Sequence, residues 1–347
     1  MNQISIKAVH LCIFPETKLE FIEKCIRTSA MCGYSHIVLE FWGTLKYDCL
    51  KELGWDNAYS KKEIKSLAET ARTLGLEVMP MFNHLGHASQ CREIHGKHVV
   101  LDQNPNLSHL FKSHGWEWDI ENDEALCLLR KIRRELIELC GEGQYFHLGC
   151  DEAYSFGQRE DMPKILCDYL NGIQAELTKV GRRAVVWGDM LLAKSDFENE
   201  KYCYIAALKS KEQSCAILER LDKNIVIADW QYNVLSGDWK SSILLKDAGF
   251  DVLCCPWHDI ENASSAVKCA NGNNLFGVMH TTWHTLNTGF PTMVYTGLAI
   301  NNRDTGMNYS SETIDTREIR FIAAEIARKA MPAEGRYKDS GWTELDT

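Results

Sequence analysis

The stretch YFHLGCDEAYSFG, residues 145–157, sets an apolar run and a glycine directly before two adjacent acids, Asp151 and Glu152. Consecutive residues of a regular strand point to opposite faces. The two carboxylates can therefore share one cavity only where the strand ends and bends into its loop. Neighbouring like charges repel, so such a pair needs either water around it or a chemical task.

Seven further apolar runs of the same kind flank this one: IKAVHLCIF (6–14), HIVLEFW (36–42), EVMPMFN (77–83), AVVWGD (184–189), NIVIADW (224–230), DVLCCPW (251–257) and LFGVMHTTW (275–283). Short continuous apolar runs fit parallel strands buried on both faces. Helical patterns lie between them. SKKEIKSLAETARTLG carries a capping box, Ser60 with Glu63, an apolar face from Ile64 to Leu74, and Gly75 as its stop. FIEKCIRTSAMCG and EALCLLRKIRRELIELCG also close on glycine. Eight strands alternating with helices predict a TIM (β/α)8 barrel, a fold that 347 residues suit. No low-complexity linker divides the chain. Residues 1–347 are expected to form one domain, with 301–347 a helical C-terminal tail packed on it.

Glu40, Asn83, Asp151, Trp187, Asp189, Trp230, Trp257 and Trp283 all fall at or just past the C-terminal ends of these runs. That is the face on which barrel enzymes build their sites, and it implies catalysis. A net charge of −10 with scattered Lys and Arg excludes a basic footprint for nucleic acid or an anionic membrane. No apolar run approaches the ~18 residues of a membrane span, and MNQISIKAVHLCIF lacks the pattern of a signal peptide. Several of the fourteen cysteines (Cys12, Cys150, Cys254 and Cys255) sit in apolar runs, and no C-x-x-C occurs. Reduced thiols and a cytoplasmic location are expected. The N-x-S sequons at Asn106, Asn262 and Asn308 then read as chance matches.

Two carboxylates in a barrel mouth ringed by indoles suggest glycoside hydrolysis. Sequence neighbours fit the usual pair poorly, because that scheme sets its carboxyl groups ~5 Å or more apart across the scissile bond. They fit substrate assistance better: the sugar's 2-acetamido oxygen attacks the anomeric carbon, one acid protonates the leaving oxygen, and its neighbour orients the acetamide. An isolated Asp-Glu pair is usually a solvated loop and a single strand-end tryptophan is usually core, so context carries the reading. Two alternatives compete. A metal-dependent barrel hydrolase would use the histidines His84/His87 and His95/His98; a non-catalytic carbohydrate-binding barrel would need no acid at Glu152.

HLGCDE resembles the His-x-Gly-Gly-Asp-Glu signature of glycoside hydrolase family 20, the β-N-acetylhexosaminidases, with Cys150 in place of the second glycine. PMFNHLGHAS is similar to the family's third-strand segment, and VVWGDM, IADWQY and TTWHT match the strand ends that supply its tryptophan walls. GCDE-x-Y, W-x-D-M and W-x-Y are shared with the short single-domain hexosaminidase D-like branch. The resemblance covers about residues 5 to 300. It implies Glu152 as general acid/base and Asp151 as the acetamide-orienting carboxylate. It further implies Trp187, Trp230 and Trp283 as pocket walls, with His147 and His87 in support. Glu40 and Asp189 are additional strand-end candidates for substrate contact. Four departures stand out: strand one lacks the family's arginine, Asn83 replaces an aspartate, Thr285 replaces a carboxylate, and the acetamide-binding tyrosine is missing from PWHDIEN. Tyr232 or His258 would replace that tyrosine. Tyr232 is favoured, since a neutral phenol suits an amide oxygen that gains negative charge. The implied activity is exo-acting, retaining and free of metal or cofactor. Its partner is an oligosaccharide ending in N-acetylhexosamine, and a homo-oligomer is left open.

Overall fold

The computed structural model describes residues 4–14, 16–89, 101, 104–197, 204–302 and 316–331. All eight apolar runs form strands: β1 (Ile6–Cys12), β2 (His36–Glu40), β3 (Glu77–Met81), β4 (Tyr145–Gly149), β5 (Arg183–Trp187), β6 (Val226–Asp229), β7 (Asp251–Cys254) and β8 (Gly277–His280). They pair in parallel, each with the next, and β8 returns to β1 to close the barrel. After the strands come α1 (Leu19–Cys32), α2 (Lys61–Thr73), α3 (Asp123–Cys140), α4 (Met162–Thr178), α5 (Lys211–Arg220), α6 (Lys240–Asp247), α7 (Ile260–Gly272) and α8 (Phe290–Ile300). The expected capping box forms at Ser60 and Glu63, and Gly75 beyond α2 takes a φ of +81°.

Two apolar layers explain why the strands read as unbroken apolar runs. Val9, Leu11, Ile37, Leu39, Phe146, Leu148, Val186 and Ile227 pack outward against the helices. Ala8, Val38, Met79, Met81, Val185, Val226, Ala228, Leu253 and Met279 fill the barrel interior. The period of two then sends His10, Glu40, Asn83 and His147 inward at the C-terminal end. A polar layer thus lies on top of the apolar plug.

The strands are shorter than the apolar runs predict. The run 6–14 pairs only to Cys12, 36–42 to Glu40, 77–83 to Met81 and 275–283 to His280, while the fifth strand starts one residue earlier than expected, at Arg183. Ile13, Phe41, Trp42, Phe82, Cys255 and Thr281 remain buried beyond the ladders. Burial continues where backbone pairing stops, and hydrophobicity alone does not separate the two.

In the tail, α9 (Thr316–Ala330) packs on α1 and α8. Ile319, Ala323 and Ala327 bury one face at i, i+4 spacing. Most of the remaining tail lies outside the described residues. The sequon asparagine Asn262 is buried and donates to the carbonyls of Gln231 and Val234, which leaves it inaccessible. Asn308 lies outside the described residues. Among the described helices none is long and apolar enough to cross a membrane.

Candidate active site

The exit of β4 answers the question its sequence raises. Pairing with β5 slips register between His147 and Gly149. The backbone then takes positive φ at Gly149 (+67°), Cys150 (+70°) and Glu152 (+52°). For residues with a Cβ this conformation costs roughly 1–2 kcal/mol each, so neighbouring contacts must hold it. The Glu152 N–H donates to Asp189 Oδ2 at 2.8 Å, and Trp116 Nε1 donates to the Glu152 carbonyl at 2.8 Å. Glu117 accepts the N–H groups of Ser155 (3.0 Å) and Phe156 (3.3 Å), which anchors the helical turn Tyr154–Gly157. Close approach does the rest. A Cβ on Gly149 would stand 1.6 Å from Asn83 Oδ1, and one on Gly86 would stand 1.9 Å from the Asp151 carbonyl oxygen.

The bend turns both acids toward one imidazole. His87 Nε2 lies 3.2 Å from Asp151 Oδ2 and 3.0 Å from Glu152 Oε2. His87 itself has a φ of +56°, and the Trp116 ring lies 4.2 Å from its ring centre. Asp151 is almost fully buried, and its Oδ1 has no hydrogen-bond partner among the described residues. Glu152 is more open, with 22% of its side chain exposed, and its Oε1 accepts the Tyr154 phenol at 2.7 Å. The ligand-type atoms of His87, Asp151 and Glu152 lie within 4.8 Å of one another. A ring N–H shared between two carboxylates accounts for that spacing.

Asp189 follows β5 and is buried. Its Oδ1 accepts Trp230 Nε1 at 3.3 Å while its Oδ2 holds the Glu152 backbone. Burial first, then the Asp151 charge, push the Asp189 carboxyl up to about 8. Asp189 is therefore a brace for the bend and for a wall indole.

The aromatic residues form one arc. The Trp187 ring packs 4.4 Å from His147 and 5.3 Å from Trp283. Trp283 Nε1 donates to the Tyr232 hydroxyl at 2.6 Å, and Tyr232 lies 5.3 Å from Trp230 and 5.2 Å from Trp257. Trp187 and Trp230 are buried, whereas Trp283 and Tyr232 are partly open. Beneath the arc, His10 Nε2 meets Glu40 Oε2 at 3.0 Å with both side chains fully buried, and the His10 ring lies 4.9 Å from Trp283. Burial holds the His147 imidazole well below its usual range, and burial with nearby His10 takes His280 down to about 3. Both are neutral at pH 7.

Asp151, Glu152, His87, His147, Asp189, Trp187, Trp230, Tyr232 and Trp283 thus lie together at this end of the barrel. Three expectations are corrected. His258 is exposed, packs edge-on against Trp257 at 4.1 Å and lines a separate cavity with Asp259, Thr288 and Arg320, which leaves Tyr232 as the candidate within the aromatic arc. Asn83, which stands where the family has an aspartate, donates to Glu40 Oε1 at 3.5 Å. Glu40 and Asn83 both sit in the buried layer below the arc. His84 packs against Phe82 and Phe146, away from His87, while His95 and His98 lie outside the described residues. Two residues escaped the sequence reading, His10 and Tyr154, while Trp116, readable from the sequence as a pocket-rim indole outside the motif set, holds the Glu152 carbonyl. Inward parity on β1 would have found His10, and the Glu-x-Tyr spacing would have found Tyr154.

The model of the glycosyl hydrolase family 20 catalytic domain matches residues 39–288. Hexosaminidase D of Bos taurus is 29% identical over 129 residues, 37% of this chain and 35% of that protein. Hexosaminidase D of Homo sapiens is 26% identical over 191 residues, 50% of this chain and 37% of that protein. The chain spans little more than a third of the length of these relatives. Among solved structures, a Flavobacterium johnsoniae chitobiase superposes with a TM-score of 0.64 at 13% identity, over 96% of this chain and 53% of that one. Dispersin B superposes with a TM-score of 0.58 at 17% identity, over 86% and 99%. At these identities the superpositions speak for the barrel fold.

Proposed function

The chain belongs to glycosyl hydrolase family 20, and from that premise we propose that it is an exo-acting β-N-acetylhexosaminidase. It removes terminal β-linked N-acetylglucosamine or N-acetylgalactosamine with retention, the substrate's acetamide serving as nucleophile. The observation that carries this reading is the meeting of Asp151 and Glu152 at His87, one carboxylate buried and one half-open.

The roles follow from that asymmetry. Glu152, nearer solvent, gives its proton to the leaving oxygen as the acetamide oxygen closes on the anomeric carbon. The glycosidic C–O bond breaks, and a bicyclic oxazolinium forms. Asp151, with an unpaired buried oxygen, holds the acetamide N–H and balances the developing positive charge. Tyr232 donates to the acetamide oxygen, and Trp187, Trp230 and Trp283 enclose the group. Water, deprotonated by Glu152, then attacks the anomeric carbon from the vacated face, which gives overall retention. Asp189 is an unsuitable nucleophile because both its oxygens already accept hydrogen bonds within the scaffold. Free thiols at the described cysteines support the cytoplasmic setting that forms part of the proposal.

The test is a panel of aryl β-glycosides with and without the 2-acetamido group, run with and without EDTA. The reading expects turnover confined to acetamido sugars, tight inhibition by an oxazoline-mimicking thiazoline, and no loss on chelation. Comparable hydrolysis of plain β-glucosides or β-galactosides would refute it. Loss of activity with EDTA would favour metal chemistry, and saturable sugar binding without turnover a lectin-like barrel.

A further inference from the structure

Tyr154 lies two residues beyond Glu152, on the first turn after the strained bend, and is 48% exposed. Its hydroxyl donates to Glu152 Oε1 at 2.7 Å while His87 Nε2 lies 3.0 Å from Glu152 Oε2. Each oxygen of the half-open carboxyl therefore faces a donor. The turn that carries Tyr154 is itself fixed by Glu117, through the N–H groups of Ser155 and Phe156.

We propose that Tyr154 is a positioning residue for the reaction, donating to Glu152 opposite His87 so that the carboxylate left after proton transfer is met at once by two hydrogen bonds. The proposal rests on the reading of Glu152 as the general acid. In the first step the Glu152 O–H breaks and its proton passes to the glycosidic oxygen, while the pair of electrons stays on the carboxylate. The phenol O–H and the imidazole N–H point at that new charge, so they stabilise the step as it proceeds. In the second step the same two donors hold the carboxylate ready as base for water. Tyr154 keeps its own proton throughout. Burial and its bond to Glu152, with the Glu152, Asp189 and Asp151 charges nearby, push the phenol well above its ordinary range.

The charged and titratable groups facing Glu152 among the described residues come from three elements. His87 comes from the β3 exit, Asp151 and Tyr154 from its own loop, and Asp189 from the β5 exit. The Asp151 charge favours the neutral acid, Asp189 being itself held protonated below about pH 8, and the two donors oppose Asp151 by favouring the anion. Removing one donor should therefore make Glu152 hold its proton to higher pH.

The experiment compares the wild type with Tyr154→Phe by carbon-13 NMR titration of δ-labelled glutamate, the Glu152 signal being assigned by its loss in Glu152→Gln. Since the ring is retained and half-exposed, the variant should fold, with thermal melting as the check. The expected result is a rise of about one pH unit in the Glu152 midpoint, matched by the alkaline limb of kcat/KM on an aryl N-acetylglucosaminide. An unchanged midpoint overturns the proposal even where the enzyme turns over. A midpoint raised in Tyr154→Phe, beside a wild type that turns over no substrate, upholds the hydrogen bond and overturns the hexosaminidase reading instead. A purely structural or stacking role would lower kcat/KM without moving either the midpoint or the limb.

Discussion

Tyr232 accepts the indole N–H of Trp283 at 2.6 Å, and its other hydroxyl neighbour, Thr281, already donates to the Pro256 carbonyl at 2.8 Å. With the Thr281 hydrogen committed to Pro256, Tyr232 is the donor in its long 3.4 Å contact with Thr281 Oγ1, and an acetamide oxygen in the pocket would compete with Thr281 for that phenolic hydrogen. Tyr232→Phe should lower kcat/KM for acetamido substrates by roughly 10–100-fold, the worth of one hydrogen bond to a charged or charging oxygen. A variant that keeps full activity would take Tyr232 out of the acetamide site.

The two carboxylates should respond differently to the leaving group. Glu152→Gln removes the proton donor, so natural and alkyl glycosides should lose ~10²–10⁴-fold. Aryl glycosides with acidic phenols should keep their glycosylation step. Asp151→Asn weakens support for the oxazolinium, so every substrate should suffer alike. Steady-state kinetics across phenols of graded pKa will show it. Equal slopes for the two variants would overturn the assignment.

Burial separates the two indoles that meet at 5.3 Å. Trp187 is 1% exposed, and Trp187→Ala should cost about 3–5 kcal/mol of stability. Trp283 is partly open, and Trp283→Ala should weaken substrate capture at least tenfold with a smaller loss of Tm. Calorimetry of both variants beside KM measurements decides between core and platform.

Asp189 carries a pH signature. Its folded pKa of about 8 lies far above the ordinary aspartate value of 3.8, so the folded state holds a proton that the unfolded chain releases. Stability from this group is complete below pH 4 and is lost as pH rises toward 8, at up to about 1.4 kcal/mol per unit. Asp189→Asn should therefore gain on the wild type progressively between pH 4 and 8 in urea titrations. A constant difference across that range would refute the shift.

At position 150 the usual order of alanine and glycine should invert. Cys150 has a φ of +70°, where glycine is at ease and a Cβ is not. Cys150→Gly should exceed Cys150→Ala in stability by about 1 kcal/mol, read from paired thermal melts.

The barrel was legible because its interior and exterior layers both leave apolar residues on each strand, so every strand survives as an unbroken run. The paired acids were legible because they abut such a run. What the chain order could not convey is how distant segments meet. Nothing near His87 in sequence announces that it touches both Asp151 and Glu152. Asp189 reads as a spare acid until the Glu152 N–H is found on it. Phenol chemistry favoured Tyr232 over His258 from sequence, but only the turn of the β7 exit shows His258 exposed on Trp257. Strand ends were overread for the reason Phe41 and Trp42 illustrate, namely that both stay buried after pairing has ceased.

Gly86 has a bearing on how this pocket could be re-engineered. With its α-carbon pressed against the Asp151 carbonyl, the segment after β3 and the segment after β4 fit together like two halves of a clasp. Neither can be swapped alone for a counterpart from another barrel, because a donor loop bearing any side chain at position 86 would displace the carboxylates. The two loops form a single exchangeable cassette, and libraries aimed at new sugar specificity should vary the β6 and β8 exits while transplanting this pair intact.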